Sequence, residues 1–391
     1  MKKNIGDKVN VVFYLNNLNG GGAERVIITL ANKLSSSKDI NLYLVVGEKK
    51  GPYMSEVSPD VKITFLNSRL KMLSIFKLAV FFRKKEINVV LSTITGSIII
   101  AIVAKIICQI FYLRQVKFIS REANTPSVEY KNFNLRGKFL LIVSRFLYRF
   151  SDSFVCVSSD SKDDFLKFHK IVDSSKVSVI YNPVDYEKII KLASFQNELK
   201  APWPAGTPYF IAVGRMTEQK NYAHLLKAFS NVRRKSVSKL IILGDGEERK
   251  FLVDLAKELG MEHDIWMPGF IENPFPYMKF SCALILSSKW EGLPNVIIQA
   301  ILLGVPVVSY DCPSGPREII SNDGLGKLVK LGDLEGLEVA MCDTLQIGNE
   351  RESGLKIHEA FRERFDSEVI VKQYEKKIIR CYNGDDKERL M

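Results

Sequence analysis

Residues 201–221 read A-P-W-P-A-G-T-P-Y-F-I-A-V-G-R-M-T-E-Q-K-N, and this stretch decides how the chain divides. Three prolines within Ala201–Pro208 remove backbone donors and fix φ, which suits a linker and neither a helix nor an inner strand. Directly after them, Tyr209–Val213 is a short apolar run closed by Gly214, the form of a buried strand and its turn. The run restarts a pattern that has already been completed once upstream.

Towards the amino terminus, Val9–Leu15, Leu42–Val46, Ile63–Leu66, Val89–Ser92, Lys117–Ser120 and Ser153–Val157 are strand-like. Helix or loop segments separate them, beginning with Ala23–Leu34. Y-N-P-V at Tyr181–Val184 closes this half, because Pro183 disfavours helix at the residue before it, and a helix then runs towards Lys200. Beyond the linker, Leu240–Leu243, Ile265–Trp266, Ala283–Leu286 and Val305–Ser309 are further strands, and Ser367–Tyr382 is a long amphipathic helix. Strands alternating with helices predict parallel sheets covered on both faces. The expected fold is therefore α/β with two Rossmann-like doubly wound halves. They span 1–200 and 201–366, with a closing helix in 367–391 packing back on the first and a ligand cleft between the halves.

A chain of 391 residues has the length for two such domains. Its 6 cysteines and 4 histidines are dispersed with no metal-ligand spacing, so neither a metal site nor a cofactor is expected, and the thiols read as buried in a reducing cytoplasm. Met1–Asn10 is charged and does not read as a leader. Ser97–Leu113 is apolar but carries Lys105 and Gln109, and is short for a span, so it is expected to be a covered or membrane-facing helix.

The net charge of +12 is concentrated: Arg69–Arg149 holds 15 Lys and Arg against 3 Asp and Glu. Bulky apolar residues interleave with those cations, as in R-G-K-F-L-L-I-V-S-R-F-L-Y-R-F at Arg136–Phe150. That mixture suits contact with an anionic membrane surface, the alternative being a solvated basic face over an ordinary core. No nucleic-acid-binding motif accompanies it, and nucleic acid is not an expected partner.

Two loops carry the chemistry. N-N-L-N-G-G-G-A-E-R at Asn16–Arg25 joins the first strand to the first helix, and Gly20, Gly21 and Gly22 allow close backbone approach at a helix N-terminus, where phosphate is favoured. A tight turn explains three glycines equally well. G-R-M-T-E-Q-K-N at Gly214–Asn221 places Arg215 and Lys220 about a loop, where two cations can clamp a diphosphate. S-S-K-W-E-G-L-P-N-V-I-I-Q-A at Ser287–Ala300 puts Glu291 in a loop, the amides of Gly292, Leu293 and Asn295 near a helix start, and Gln299 on that helix. The carboxylate and the amide oxygen are acceptors for sugar and ribose hydroxyls.

Together with I-S-R-E-A-N-T-P (119–126), S-V-I-Y-N-P-V-D (178–185), L-G-D-G-E-E-R (243–249), M-P-G-F (267–270) and D-C-P-S-G-P-R-E-I-I (311–320), these motifs resemble the retaining family 4 glycosyltransferases of GT-B fold over essentially the whole chain. The resemblance implies that Gly21 and Gly22 approach the donor phosphates and that Arg215 and Lys220, beside Gly214, bind the diphosphate. Phe270 would lie near the base, Glu291 would hold a donor-sugar hydroxyl, and the Gly292 and Leu293 amides would lie near the phosphates. The second glutamate of the family's pair is Gln299 here, which loses charge assistance worth about 1 kcal/mol. A histidine common in the family is absent from the loop after the fifth strand; Arg121, Glu122 and Asn124 stand there, either against acceptor or donor sugar or as a salt-bridged wall. This variant resembles the bacterial subgroup extending polyprenyl-diphosphate-linked oligosaccharides. The implied activity is transfer from a nucleotide-sugar donor, a UDP-hexose or UDP-N-acetylhexosamine, to a lipid-linked saccharide acceptor. It would proceed with retention and without metal, on the inner face of the cell membrane. The rival readings are a sugar-nucleotide epimerase on the same scaffold and a non-catalytic binding protein.

Overall fold

The computed structural model describes residues 8–19, 21–68, 70–132, 134–195, 200–320, 326–346 and 361–385. Gly20 lies outside them. The chain forms two compact units: 1–183 with 367–391, and 184–366.

The first unit is built on seven parallel strands: β1 (Val9–Leu15), β2 (Ile40–Val46), β3 (Lys62–Phe65), β4 (Val89–Thr93), β5 (Lys117–Glu122), β6 (Ser153–Cys156) and β7 (Val177–Val179). Their order is β3-β2-β1-β4-β5-β6-β7. β1 and β4 lie at its centre and are almost entirely buried, which is why they read as largely apolar runs, broken only by Asn10 in β1 and by Ser92 and Thr93 at the end of β4. Helices α1 (Gly22–Leu34), α2 (Lys71–Lys84), α3 (Thr95–Tyr112), α4 (Pro126–Asn132), α5 (Leu135–Leu147) and α6 (Ser159–Phe168) connect the strands. The closing helix Ser367–Asn383 packs on α1, placing Ile370, Tyr374 and Ile378 in the core that β1 and β2 build.

α3 is long and apolar enough to cross a membrane by length and composition alone, and 44% of it is buried inside the protein, between Ser97 and Cys108. Its Ile98, Ile102 and Cys108 sit in the core with Val12 and Val90, and it packs between α2 and α5. Lys105, buried among these residues, is neutralised locally: its Nζ lies 2.6 Å from both the Phe150 carbonyl and the Asp152 carboxylate. Burial pulls the Lys105 ammonium down from its usual range, and Asp152 opposes that shift.

The second unit contains α7 (Tyr186–Ala193) and strands β8 (Tyr209–Val213), β9 (Lys239–Leu243), β10 (Ile265–Gly269), β11 (Ala283–Leu286), β12 (Val307–Asp311) and β13 (Gly326–Lys330). All are parallel, in the order β10-β9-β8-β11-β12-β13. α8 (Tyr222–Lys235), α9 (Arg249–Glu258), α10 (Phe275–Lys279), α11 (Asn295–Leu302), α12 (Pro316–Ile320) and α13 (Leu334–Gln346) complete it.

The division falls at Pro183/Val184, not at the proline-rich stretch. α7 packs on α10, and Leu192 accepts a bond from the Asn273 amide at 3.0 Å. The prolines belong to a loop fixed inside the second unit, where the Trp203 indole N–H donates to the His263 carbonyl at 3.0 Å. A run of prolines reports missing donors and restricted φ, which serve an anchored loop as well as a boundary.

Candidate active site

In the second sheet all strands run the same way but the strand order reverses at the β8/β11 pair, a switch point at whose carboxyl ends α/β sheets seat their ligands. The loops that leave these two strands are 214–221 and 287–294, the two that carry the chemical motifs.

At the first, Gly214 leaves room for the site: a Cβ there would stand 3.0 Å from both Lys220 Cε and Tyr222 Oη and press on them. A short 3₁₀ turn, Glu218–Lys220, then leads through Asn221 in the left-handed region (φ 51°) into α8. Several bonds lace this loop to the second. The Gln219 amide donates to the Trp290 carbonyl at 2.8 Å, and Ser287 Oγ donates to the Lys220 carbonyl at 2.8 Å. The Lys289 amide donates to the Gln219 carbonyl, also at 2.8 Å.

Within that frame Lys220 Nζ lies 2.6 Å from Glu291 Oε1, with side-chain exposures of 16% and 8%. Ser288 Oγ donates to the same carboxylate oxygen at 2.6 Å. The pair is thus withdrawn from bulk water and fixed from two sides, which makes it electrostatically stronger than a surface ion pair. Lys220 has three N–H donors, so holding Glu291 leaves it capacity for an anionic oxygen. Arg215, on the same loop, is exposed, and among the described residues it has no ion-pair partner.

A third loop, after β12, supports the second. The Glu291 amide donates to the Pro313 carbonyl at 3.0 Å. Gly315 has φ +95°, and a Cβ on it would fall 2.5 Å from Pro294 Cδ and 2.9 Å from the Gly292 carbonyl. The Cys312 thiol is pushed far up by burial and, next, by the neighbouring Glu291 carboxylate, so it stays protonated. Gly292 and Leu293 are buried in the bend, Asn295 opens α11 half-buried, and Gln299 is half-buried further along it. Phe270 follows β10 and is 43% exposed. Among the described residues no group of three or more His, Cys, Asp or Glu is placed to hold a metal ion.

The first unit places its candidates differently from one another. Gly21 is the N-cap of α1 and Gly22 its first residue; a Cβ on Gly21 would lie 2.3 Å from the Glu24 carboxylate. Arg121 is 1% exposed and spends its guanidinium internally, donating to Tyr374 Oη (3.0 Å), Thr93 Oγ1 (3.2 Å) and Asn182 Oδ1. Glu122 is buried and accepts from Tyr148 Oη. Burial raises its carboxyl to about 7, against the lowering effects of the Tyr148 bond and Arg121. Asn124 donates to Glu129 at 2.6 Å. Arg121, Glu122 and Asn124 are thus each held by hydrogen bonds within the first unit.

Residues 20–188 match the family described as Glycosyltransferase Family 4, and residues 195–354 match Glycosyl transferases group 1. The N-acetylgalactosamine-N,N'-diacetylbacillosaminyl-diphospho-undecaprenol 4-alpha-N-acetylgalactosaminyltransferase of Campylobacter jejuni is 30% identical over 86% of this chain and 90% of its own.

The chain is a family 4 glycosyltransferase.

The transferase is also 26% identical to a second C. jejuni enzyme, the GalNAc-alpha-(1->4)-GalNAc-alpha-(1->3)-diNAcBac-PP-undecaprenol alpha-1,4-N-acetyl-D-galactosaminyltransferase, over 87% of this chain and 88% of that one. Its fold is GT-B, shared with the solved structure of Anabaena HepE in complex with UDP and glucose (TM-score 0.78, 17% identity, 94% of this chain and 99% of that one). Gln219, Ser288, Trp290 and Cys312 stand inside the sequence motifs without a role that the motifs disclose. The partners of Gln219, Trp290 and Cys312 lie across the loops, up to 71 positions away, and no local spacing announces them, whereas Ser288 reaches Glu291 three positions on in its own loop.

Proposed function

We propose that the transferase moves a hexose or N-acetylhexosamine from a UDP-type donor to a hydroxyl of a polyprenyl-diphosphate-linked or other lipid-linked saccharide, with the anomeric configuration retained and no metal ion required. The observation that carries this reading is the Lys220–Glu291 pair, held 2.6 Å apart at the switch point between β8 and β11. In this reading the leaving diphosphate takes an ammonium N–H from Lys220 and the guanidinium of Arg215, while the amides of Gly292, Leu293 and Asn295 turn towards its oxygens. Glu291, oriented by Lys220 and Ser288, accepts a donor-sugar hydroxyl. Gln299 accepts a ribose hydroxyl through its amide oxygen, and Phe270 covers the base. Gly21 and Gly22, at the start of α1, stay candidates for contact with phosphate in this reading. Arg121 and Glu122 shape the first unit and do not touch the sugar.

Two things support the acceptor class: the C. jejuni relatives are named for transfer to undecaprenol-diphosphate-linked saccharides, and the first unit has a cationic, apolar surface that suits a membrane face. The enzyme would then act as a peripheral protein at the cytoplasmic leaflet.

The test supplies labelled UDP-sugars and a short polyprenyl-diphosphate saccharide in the presence of chelator. Lengthened glycan, free UDP and an axial product linkage from an axial donor are the expected outcome. Interconversion of donor sugars with no transfer would establish the epimerase instead, and an inverted linkage or a metal requirement would remove those parts of the reading.

A further inference from the structure

The helical layer beside α3 carries an apolar stripe that nothing among the described residues covers. α5 buries Leu141 and Ser144, while Leu135, Phe139, Ile142 and Phe146 are 87%, 64%, 41% and 60% exposed. Their spacings of four, three and four line them up along one side of the helix. α5 is therefore apolar on two faces, and only one of them is packed. On the other flank of α3, α2 repeats the feature in its first turns, where Leu70, Met72 and Phe76 are 71%, 73% and 53% exposed. Single exposed apolar side chains are ordinary; a continuous file of large ones on one helix is not.

The borders of the stripe are cationic. Arg136, Arg145 and Arg149 are exposed along α5 and the turn that follows, Lys71 and Lys77 are exposed on α2, and neither helix contains an acidic residue. The Arg149 guanidinium lies 5.7 Å from the centre of the Phe146 ring, a charge at the rim of an apolar surface. The layer is also firmly seated, since buried Lys105 on α3 binds the Phe150 carbonyl and Asp152 just beyond α5.

We propose that α5, with the first turns of α2, is a keel inserted into an anionic lipid bilayer: its aromatic and aliphatic file enters the acyl boundary while the flanking arginines and lysines hold lipid phosphates. This deepens the membrane part of the function proposed above and rests on that part alone. Charge selects lipid over a second copy of the chain, because a two-fold contact would set these cationic borders against each other. Insertion also differs from simple adsorption of a basic face, since salt screens charge attraction but leaves apolar burial intact.

The full-length protein is sedimented with vesicles of phosphatidylglycerol and phosphatidylethanolamine at about 0.1 M and about 1 M salt, where the Debye length falls from about 10 to about 3 Å. The wild type is expected to stay largely bound at the higher salt. F139S/F146S should lower partitioning roughly tenfold or more at both salts, given the apolar area withdrawn from the membrane, with an unchanged melting temperature. R136Q/R145Q should weaken binding chiefly at the lower salt. Three results would overturn the proposal: wild-type binding by F139S/F146S, complete release of the wild type by salt, or a wild-type dimer in solution that F139S/F146S abolishes. No donor or acceptor enters the assay, so its failure leaves the transfer reading standing, and failure of transfer leaves the keel standing.

Discussion

Arg121 Nε donates to Tyr374 Oη at 3.0 Å, joining two residues 253 positions apart in the chain. A second arm of the same guanidinium reaches Asn182, the residue before Pro183, where the chain leaves the first unit; Tyr374 stands on the helix that begins as the chain returns to it. One buried cation therefore anchors both ends of the first unit's boundary. Tyr374→Phe leaves a buried guanidinium N–H unsatisfied and should cost about 1–3 kcal/mol of stability. Arg121→Met removes the charge together with its donors, so Thr93 Oγ1 and Asn182 Oδ1 each lose one bond they accept. Urea unfolding followed by the far-ultraviolet signal should rank the two, with the activity per folded molecule of Tyr374→Phe near that of the wild type.

Lys220→Ala should lower kcat by roughly 10²–10³, the effect of removing one preorganised charge at a leaving group, while the protein remains folded. Glu291→Gln keeps the bend but loses the ionic bond to Lys220, and should raise KM for the donor more than Arg215→Ala does. Steady-state kinetics with the donor varied decides this, and near-normal turnover in a Lys220→Ala, Arg215→Ala double variant would dispose of the diphosphate clamp.

Glu122 predicts a pH dependence of stability. Its folded carboxyl titrates at about 7 against 4.5 for a free side chain, because burial outweighs the Tyr148 bond and Arg121. Between those two values the folded state keeps a proton that the unfolded state has released, so this group makes the protein less stable as pH rises through that window. Glu122→Gln cannot ionise and can still accept from Tyr148. Its melting temperature should exceed that of the wild type by more at pH about 8 than at pH about 5.

Gly315→Ala should damage the donor site from behind. At φ +95° an alanine is strained by about 1–2 kcal/mol, and its methyl group would press on Pro294 and the Gly292 carbonyl. The expected result is a several-fold higher donor KM with a smaller loss of kcat, measured beside Gly332→Ala. That second glycine also has positive φ (84°) but nothing within 4 Å, so it isolates the backbone strain from the push on the site.

Local pattern made most of the architecture legible. β1, β4, β8 and β11 are central strands buried on both faces, so apart from Asn10 in β1 and Ser92 and Thr93 at the end of β4 their residues are apolar and readable one by one. β7 and β13 gave no such signal: the first has three residues, the second reads G-K-L-V-K, and both lie at sheet edges where one flank needs no apolar cover. The proline-rich stretch was visible but misleading, because its backbone restrictions say nothing of whether Trp203 is anchored.

The sequence by itself determined the alternation of strands and helices, the glycines where chain segments crowd, and the cation and carboxylate types needed for a diphosphate and a sugar. All of these depend on neighbours within a few residues. Only the tertiary structure decided that Lys220 pairs with Glu291, that Arg121 is spent on Tyr374 and Asn182 inside the first unit, and that one apolar face of α5 is left uncovered. Those outcomes depend on which surfaces meet after the sheets form, and burial, which sets the cost of every unpaired charge, exists only in the folded chain.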